Sequence, residues 1–412
     1  MSETTRRPVP LTGNPAGGTS AAPGTGRLPL LDVLRGVAIL GTLMTNIWIF
    51  AGPGAEWGVL SGGLDTPGLF SGADTAGLAE AVFRLLADGK FLSLLTVLFG
   101  AGLAIQYDAA RRRGEPWPGR YRLRALFLFA EGLVHFALIF AWDVLMGYAL
   151  VSLLVAWLLT RSDTARRRVL RGAAAAHLTV MTLLTLALLT APAGDGSGGS
   201  GPSPRVIALY AEGSWAEQIA FRIENALVLR AEPLLSFGLL LFLFLLGVRL
   251  HRAGAFAPGA AGERLRRRLM RWGLGAGIPL TLATGGLSSD LFLLSRYAAA
   301  PVLALGYLGA IGVLLDRRAA RAPGRPAGQL VVSLTAVGRT ALSCYVGQNL
   351  LAALACYGFG LGLAARFADS GPWWVMGLWA AIGLLLVAGA RLWLRYADHG
   401  PLESLQRRVL RR

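Results

Sequence analysis

The chain has 412 residues, of which 54% are hydrophobic and only 15% are charged. Its formal net charge of +17 would indicate a nucleic-acid partner if the chain were a soluble domain. The arginines, however, occur in short clusters between apolar stretches of about 20 residues, the length that a helix needs to cross a bilayer. The composition therefore excludes a soluble domain that binds nucleic acid. It predicts an all-α, polytopic membrane protein.

The two cysteines, Cys344 and Cys356, lie within one apolar stretch. Their spacing matches neither a disulfide framework nor a metal site, so we expect no metal. The sequence also lacks the GxSxG, HExxH and Walker A motifs of common enzyme classes. Any chemistry must therefore come from polar groups within the apolar stretches.

In chain order, residues 1–27 are rich in Gly, Pro, Ser and Thr, and we expect a disordered cytoplasmic tail. Residues 28–398 are predicted to form the transmembrane helical domain, and residues 399–412 a basic cytoplasmic tail. The apolar stretches predict ten membrane spans. These spans cover residues 30–50, 83–106, 123–141, 143–160, 169–191, 233–250, 272–292, 297–315, 329–351 and 373–394.

The distribution of arginine supports ten spans, because cytoplasmic loops are enriched in basic residues. The loops after even-numbered spans contain Arg111–Arg113, Arg166–Arg168, Arg266–Arg268 and Arg317–Arg318. In contrast, residues 51–82 contain no basic residue. Both termini are therefore predicted to be cytoplasmic. The outer loop of residues 192–232 starts as a Gly- and Ser-rich linker and continues as a predicted amphipathic helix on the membrane surface.

The first span carries polar groups at both ends. Asp32 and Arg35 are three residues apart and share a helix face, so they can form an ion pair or can bind the phosphates of a ligand. Asn46 lies about 16 Å further along the helix axis, where it can form a hydrogen bond between helices or contact a substrate. A simple membrane anchor requires none of these groups.

Spans two to four carry a second set of polar residues. Lys90 falls near the predicted outer end of span two, where it can also extend to the interface. Glu131 and His135 are four residues apart and can face one cavity, and a carboxylate beside a histidine favours its use as a general base. Asp143 follows at the outer turn, and Tyr148 lies in span four. A structural role for His135 is the alternative interpretation.

Span nine adds a third set of polar residues. Arg339 is at its cytoplasmic start, where it can approach the Asp32 and Arg35 end of span one. Tyr345 and Gln348 lie further along, followed by Asn349. Because a lipid-facing helix does not tolerate so many hydrogen-bonding groups, we expect them to face the bundle or a wet cavity.

These stretches resemble a known family. The segments LDVLRGVAILGTLMTN, KFLSLLTVLFGAGLA, EGLVHFALIFAWDVLMGYAL, GRTALSCYVGQNLL and HGPLE resemble the DUF418 (YeiB-like) family of bacterial membrane proteins. The resemblance covers residues 30 to about 405, and it implies a multi-pass protein of the bacterial inner membrane. In span nine, Cys344 and Asn349 depart from the asparagine and serine expected there.

At the superfamily level, that family is similar to acyltransferase-3 proteins and to heparan-α-glucosaminide N-acetyltransferase. The resemblance implies transfer of an acyl group from cytosolic acyl-CoA, with acetyl-CoA as the expected co-substrate, to an acceptor on the far side that is a sugar or a lipid-linked molecule. Acyltransferase-3 proteins have a histidine at the position of Asn46. In the glucosaminide branch, as in this chain, that residue is an asparagine. We interpret His135 as the replacement base.

The leading hypothesis is thus a transmembrane acyltransferase that contacts membrane lipid, acyl-CoA and an outer acceptor, and a homodimer is compatible with it. The predicted catalytic residues are His135, Asn46, Glu131 and Asp143, the acyl-CoA-binding residues are Arg35, Asp32 and Arg339, and the acceptor-binding residues are Lys90, Tyr148, Tyr345 and Gln348. The alternatives are a proton-coupled transporter or a lipid- or metabolite-binding protein, and a structural membrane protein. We found no internal repeat and no broken-helix signal, and both absences count against a transporter.

Overall fold

The computed structural model describes residues 28–61, 69, 74–190, 201–286, 291–322 and 324–411, and in these ranges the chain forms helices and turns but no strand. The predicted disordered tail and most of the Gly- and Ser-rich linker lie outside the described residues. The all-α prediction is therefore confirmed for the described part of the chain.

Fourteen longer helices are numbered here in chain order within the described ranges. They are α1 (Pro29–Ala51), α2 (Thr75–Ala87), α3 (Lys90–Arg112), α4 (Tyr121–Leu138), α5 (Leu145–Leu159), α6 (Asp163–Thr190), α7 (Trp215–Glu224), α8 (Phe237–Arg252), α9 (Ala260–Thr281), α10 (Ala300–Arg321), α11 (Gln329–Arg339), α12 (Ala341–Cys356), α13 (Trp373–Trp393) and α14 (Pro401–Arg411). Short helices cover Ala55–Gly58, Pro204–Ala211, Ala226–Leu229, Ala231–Leu235, Phe292–Leu294 and Leu363–Arg366, and π-helical turns cover Leu282–Gly286 and Ser295–Ala299.

Several of these helices can cross a bilayer. Among the described residues, Pro29–Ala51, Asp163–Thr190, Phe292–Arg321 and Trp373–Trp393 are long and apolar enough to do so, and the bent pair α11–α12 brings the number to five if it is one span. This set of apolar helices fits a membrane protein. Each of the ten predicted spans overlaps a helix, but the number of spans stays a prediction.

Three predicted boundaries differ from the structure. The span predicted at 83–106 crosses a break at Asp88 and Gly89, which separates α2 from α3. The span predicted at 272–292 belongs to a helix that already begins at Ala260, because arginine is a good helix former and continues the helix beyond the apolar segment. The span predicted at 329–351 bends by 89° between α11 and α12. The structure therefore contains a bent helix pair for which we found no signal in the sequence.

The packing of α1 against α11 fixes this bend. Gly36 of α1 lies against the Leu334 carbonyl, and Gly338 of α11 lies against the Asp32 carbonyl, so that a Cβ atom at either glycine would collide with backbone. Such close contact requires small residues, as is common where membrane helices cross. The break at Arg339 is thereby held beside the first turn of α1.

The same type of contact joins α3 to α8. A Cβ atom at Gly100 would collide with the Phe244 carbonyl, and one at Gly247 would collide with the Val97 carbonyl. The helices around this crossing bury a continuous apolar core that includes Leu98 and Phe244, both fully buried. The crossing brings α3, α5 and α8 to the cavities described below.

Substitution of Gly247 by alanine should therefore destabilise the protein by about 1–3 kcal/mol, the usual cost of overpacking. The measurement is thermal unfolding of the purified protein in detergent. The control is Gly275→Ala on α9, where the new methyl group meets open space and should be neutral or stabilising by up to about 1 kcal/mol. Equal melting temperatures for the two variants would contradict the assigned helix contact.

Candidate functional site

His135 occupies the centre of the candidate site. It lies in the last turn of α4 and is only 1% exposed. Its Nδ1 atom is 3.9 Å from Glu131 Oε1 and 3.8 Å from Asp143 Oδ1. The predicted approach of Glu131 to His135 is therefore observed, and Asp143 approaches the same nitrogen from the start of the α5 segment.

A chain of side-chain amides leads from α1 to this histidine. Asn46 Nδ2 donates to Asn349 Oδ1 over 3.2 Å, and Asn349 Nδ2 lies 3.2 Å from His135 Nε2. Because the Asn349 oxygen accepts from Asn46, its nitrogen faces the imidazole, and Nε2 is the acceptor. The proton of a neutral His135 is then on Nδ1, between the two carboxylates.

The turn between α4 and α5 holds Asp143 in place. Asp143 Oδ2 accepts hydrogen bonds from the backbone N–H groups of Leu145 at 3.0 Å and Met146 at 3.3 Å, and so caps the N-terminus of α5. The other oxygen, Oδ1, is buried without a hydrogen-bond partner. Asp143 therefore uses one oxygen to cap α5, and its other oxygen faces His135. His135, Glu131 and Asp143 are called the His135 cluster below.

Tyr345 forms another side of the cluster. Its ring centroid is 5.3 Å from that of His135, and its hydroxyl accepts a hydrogen bond from the Val144 backbone N–H at 3.4 Å. One turn later, Gln348 Nε2 donates to Thr42 Oγ1 on α1 at 3.1 Å. Tyr345 and Gln348 thus face the bundle, although Gln348 bonds to α1 and not to the His135 cluster.

A buried ion pair contacts the turn between α4 and α5. Glu56 and Arg222 are both fully buried, and Arg222 Nε donates to Glu56 Oε1 over 3.1 Å. Arg222 also donates to the Ala137 carbonyl at 3.3 Å, while Glu56 accepts from the Ala141 backbone N–H at 3.3 Å. The pair thereby satisfies the backbone groups left free where α4 ends.

Arg230 lies between the short helices Ala226–Leu229 and Ala231–Leu235 and contacts the same turn. Its guanidinium donates to the Asp143 carbonyl at 2.8 Å and stacks on the Phe136 ring, with a centroid distance of 4.2 Å. It therefore places a positive charge beside Asp143 and beside Phe136, the residue that follows His135. Charge-assisted hydrogen bonds of this kind are stronger than those between neutral groups.

Two adjoining cavities border the cluster. The larger, of about 50 Å³, is lined by Asp143, Thr96, Glu232, Arg296 and Tyr297 among others. The smaller, of about 30 Å³, is lined by Asn46 and Tyr345, and Glu232 and Arg296 line both. His135 is not among the residues that line either of these two cavities, but its neighbours Asp143 and Tyr345 are.

Glu232 and Arg296 carry charge into the cavities. Glu232 accepts a short hydrogen bond from the Tyr297 hydroxyl and lies 3.5 Å from Arg296 Nη2. Two of the predicted acceptor-binding residues, Tyr148 and Lys90, lie nearby. Tyr148 is fully buried and shares a 2.5 Å hydrogen bond with Thr96, and Lys90 is buried at the start of α3 beside Gly89, a cavity-lining residue.

The opposite end of α1 contains the predicted acyl-CoA-binding residues. Asp32 and Arg35 form an ion pair at 3.6 Å, and the Arg35 guanidinium extends to α3 at Gly102. Arg339 lies at the end of α11, which packs on the first turn of α1, and donates to the Asp398 carbonyl at 3.0 Å. The predicted approach of Arg339 to the Asp32 and Arg35 end is thus observed.

The sequence interpretation missed several of these residues. Glu56, Arg222, Arg230 and Glu232 fall in predicted loops and were not predicted as site residues. Asn349 was expected to face the bundle with Tyr345 and Gln348, but it was not predicted as a partner of His135. The one available signal was the amphipathic pattern of residues 215–233, which places charged residues at helical spacing. Within the described ranges, no group of three or more His, Cys, Asp or Glu residues could hold a metal ion.

Comparison with known proteins agrees with the family resemblance. Residues 250–412 match the family described as "Protein of unknown function (DUF418)". The chain is 28% identical to the uncharacterized protein YeiB of Escherichia coli (strain K12), over 92% of this chain and 95% of that protein. It is 26% identical to the uncharacterized protein YxaH of Bacillus subtilis (strain 168), over 92% of this chain and 93% of that protein. These matches support a DUF418, YeiB-like membrane protein and indicate no activity.

Removal of one partner of the Glu56–Arg222 pair should be strongly destabilising. Arg222→Met leaves the Glu56 carboxylate buried without its counter-charge, and the expected cost is about 3–5 kcal/mol. Thermal unfolding of the single and double variants tests this expectation. The double variant Glu56→Gln, Arg222→Met should be more stable than Arg222→Met alone, because no buried charge remains. A double variant less stable than Arg222→Met would refute the assigned pairing.

Proposed function

We propose that this protein is a transmembrane acyltransferase that moves an acyl group from cytosolic acyl-CoA, such as acetyl-CoA, to a hydroxyl or amine of an acceptor at the outer face. The observation that carries this proposal is the chain of side-chain amides that leads from Asn46 through Asn349 to His135. Glu131 and Asp143 lie beside the other imidazole nitrogen, Nδ1. Two cavities with the charged residues Glu232 and Arg296 in their lining lie at the Asn46 end of this chain of amides.

The proposed arrangement in the membrane follows the sequence prediction. Ten spans place both termini in the cytoplasm of a bacterium, and the protein lies in the inner membrane. A helix at each predicted span supports this arrangement. In it, the Asp32 and Arg35 end of α1 faces the cytoplasm, and the His135 cluster lies toward the outer face.

His135 is the proposed general base. Nε2 is the acceptor nitrogen in the resting network, where it holds the Asn349 amide. When the acceptor enters, its hydroxyl or amine replaces that amide and gives its proton to Nε2. The carboxylates of Glu131 and Asp143 then stabilise the resulting imidazolium, since Nδ1 lies within 4 Å of both.

The acyl transfer balances without a metal. The acceptor oxygen or nitrogen attacks the thioester carbonyl, and the carbonyl oxygen gains negative charge. The Asn46 amide has a second N–H beside the one that bonds Asn349, and this donor can stabilise the oxyanion. When the intermediate collapses, the carbon–sulfur bond breaks and the protonated His135 returns its proton to the leaving CoA thiolate.

The acceptor enters through the two cavities. They present Glu232, Arg296 and Tyr297 on one side and Asn46 with Tyr345 on the other. Lys90 and Tyr148 lie next to the cavity-lining residues Gly89 and Thr96. A sugar or a lipid-linked molecule offers hydroxyl groups that such donors and acceptors can bind.

Arg35 and Arg339 are the proposed ligands for the CoA phosphates. Guanidinium groups bind phosphates in a bidentate fork, and the Arg35 side chain is 32% exposed and thus accessible. Asp32 holds Arg35 in position through their ion pair. The acyl end of the donor would then extend along α1 toward Asn46.

A second candidate is a proton-coupled transporter. The 89° break between α11 and α12 favours it, since transporters bind substrates at discontinuous helices. The buried atoms Glu131 Oε2, His135 Nδ1 and Asp143 Oδ1, which lack hydrogen-bond partners, could take part in a proton relay. Proton flux in proteoliposomes that depends on a solute and needs no acyl-CoA would favour the transporter.

Substitution of His135 by alanine should lower acyl transfer by about 10²–10⁴-fold, the usual contribution of a general base. The measurement is transfer of a radiolabelled acetyl group from acetyl-CoA to a panel of sugars and membrane extracts. His251→Ala is the control, because His251 pairs with Asp108 away from the cluster. Full activity of a folded, membrane-inserted His135→Ala variant would rule out this assignment.

Binding of acyl-CoA should depend on the arginines at the other end of α1. Calorimetry with acetyl-CoA and a longer acyl-CoA should show saturable binding to the wild-type protein. Because the charge-assisted contacts are lost, we expect Arg35→Ala and Arg339→Ala to bind acyl-CoA at least about tenfold more weakly than the wild-type protein. Arg267→Ala, an exposed arginine on α9, is the control. Failure of the wild-type protein to bind any acyl-CoA would favour the transporter.

A further inference from the structure

The C-terminal helix α14 is joined to the break in the α11–α12 pair. The Glu403 carboxylate accepts hydrogen bonds from the backbone N–H of Leu342 at 2.8 Å and of Ser343 at 3.3 Å, and from the Ser343 hydroxyl at 2.5 Å. It therefore caps the N-terminus of α12 from a position about 60 residues away in the chain.

Further contacts hold the segment before α14. The Leu402 backbone N–H donates to the Ser343 hydroxyl at 3.0 Å, and Trp393 Nε1 donates to the His399 carbonyl at 2.9 Å. A Cβ atom at Gly400 would collide with the Glu403 carboxylate. Helix α14 also contacts α4, and the side of α14 that includes Leu402, Glu403 and the buried Gln406 packs against the rest of the protein.

The opposite face of α14 is exposed and has a different character. Leu405 is 49% exposed and Val409 is 48% exposed, four residues apart on one side of the helix. Arg408 is exposed beside them, whereas Arg407 is exposed at the other edge of the helix, toward Arg124 of α4. The sequence continues with Arg411 and Arg412. Apolar side chains combined with arginines form the pattern of a helix that lies in the interface of a membrane containing anionic lipids.

Exposed residues that precede α14 continue this surface. At the end of α13, Trp393 is 45% exposed and Tyr396 is 84% exposed. Tryptophan and tyrosine are enriched at the level of the lipid headgroups. Because α13 is one of the candidate membrane spans, its end places the start of α14 at the membrane surface.

We propose that the exposed surface of α14 binds anionic lipid headgroups, and that this binding stabilises the Glu403 cap on α12. Leu405, Arg408 and Val409 form one side of this surface, and Arg407 lies at its other edge. Anionic lipid thus holds the broken α11–α12 helix in its capped state. The occupant is the lipid surface, because the arginines supply the complementary charge and Leu405 and Val409 supply the apolar contact. A soluble anion would use only the arginines.

Direct contact with lipid can be measured by a probe on α14. In a Cys344→Ala, Cys356→Ala background, Val409→Cys carries an environment-sensitive fluorophore, and the protein is reconstituted in phosphatidylcholine vesicles with or without phosphatidylglycerol. We expect a blue-shifted emission that increases with phosphatidylglycerol. The shift should be lost in the Arg407→Gln, Arg408→Gln variant and kept in Arg267→Gln, Arg268→Gln, a matched pair of exposed arginines on α9.

Coupling to the cap can be measured through the natural thiol Cys344, which is 5% exposed and follows Ser343 directly. With Cys356→Ala as background, maleimide should label Cys344 at least about fivefold more slowly in vesicles that contain phosphatidylglycerol. One arginine near an anionic surface changes the equilibrium constant for membrane binding by about that factor. Glu403→Gln should raise labelling in both types of vesicle, because the charged cap is weakened.

Three results would overturn the proposal. One is fluorophore emission and thiol labelling that do not depend on phosphatidylglycerol in the proteins that keep Arg407 and Arg408. Another is equal protection of Cys344 by inorganic phosphate in phosphatidylcholine vesicles, which would indicate a site for a soluble anion. The third is lipid dependence that persists without Arg407 and Arg408. Circular dichroism of each variant confirms that the labelled protein is folded.

Discussion

The turn that joins α4 to α5 depends on the buried ion pair between Glu56 and Arg222. His135 and Asp143 lie on either side of this turn, and the backbone groups between them lack helical partners. Glu56 and Arg222 provide these partners at the Ala141 N–H and the Ala137 carbonyl. Burial of two charges costs several kcal/mol for each ion unless the geometry repays it, so the position of the turn is closely defined.

The other polar groups of the site are likewise held in place by their partners. Within an apolar bundle an unpaired polar group is costly, and several of the partners in this site come from distant parts of the chain. Asn46 and Asn349 are 303 residues apart but share a hydrogen bond, and Gln348 bonds Thr42 on the same helix as Asn46. These contacts fasten α12 to α1, and close glycine contacts fasten α11 to the other end of α1.

Local sequence patterns predicted the parts of the site that lie within one helix. The spacing of Asp32 and Arg35 and that of Glu131 and His135 follow from the helical repeat, and both contacts are observed. The pairing of Glu56 with Arg222 could not be read from the sequence, because no local period relates residues 166 positions apart. The bend between α11 and α12 was missed for a similar reason. No proline marks it, and its N-terminal cap comes from Glu403 in the C-terminal helix.

The unbroken course of α1 has a consequence for the choice of acyl donor. Helix α1 runs from Pro29 to Ala51 without interruption, and it carries Arg35 near one end and Asn46 near the other, about 16 Å apart along the axis. A straight helix does not stretch, so under the proposed reaction α1 acts as a ruler. A donor could engage both ends only if a linker of matching length separates its phosphates from its thioester. Shorter thioesters would reach one end or the other, but not both.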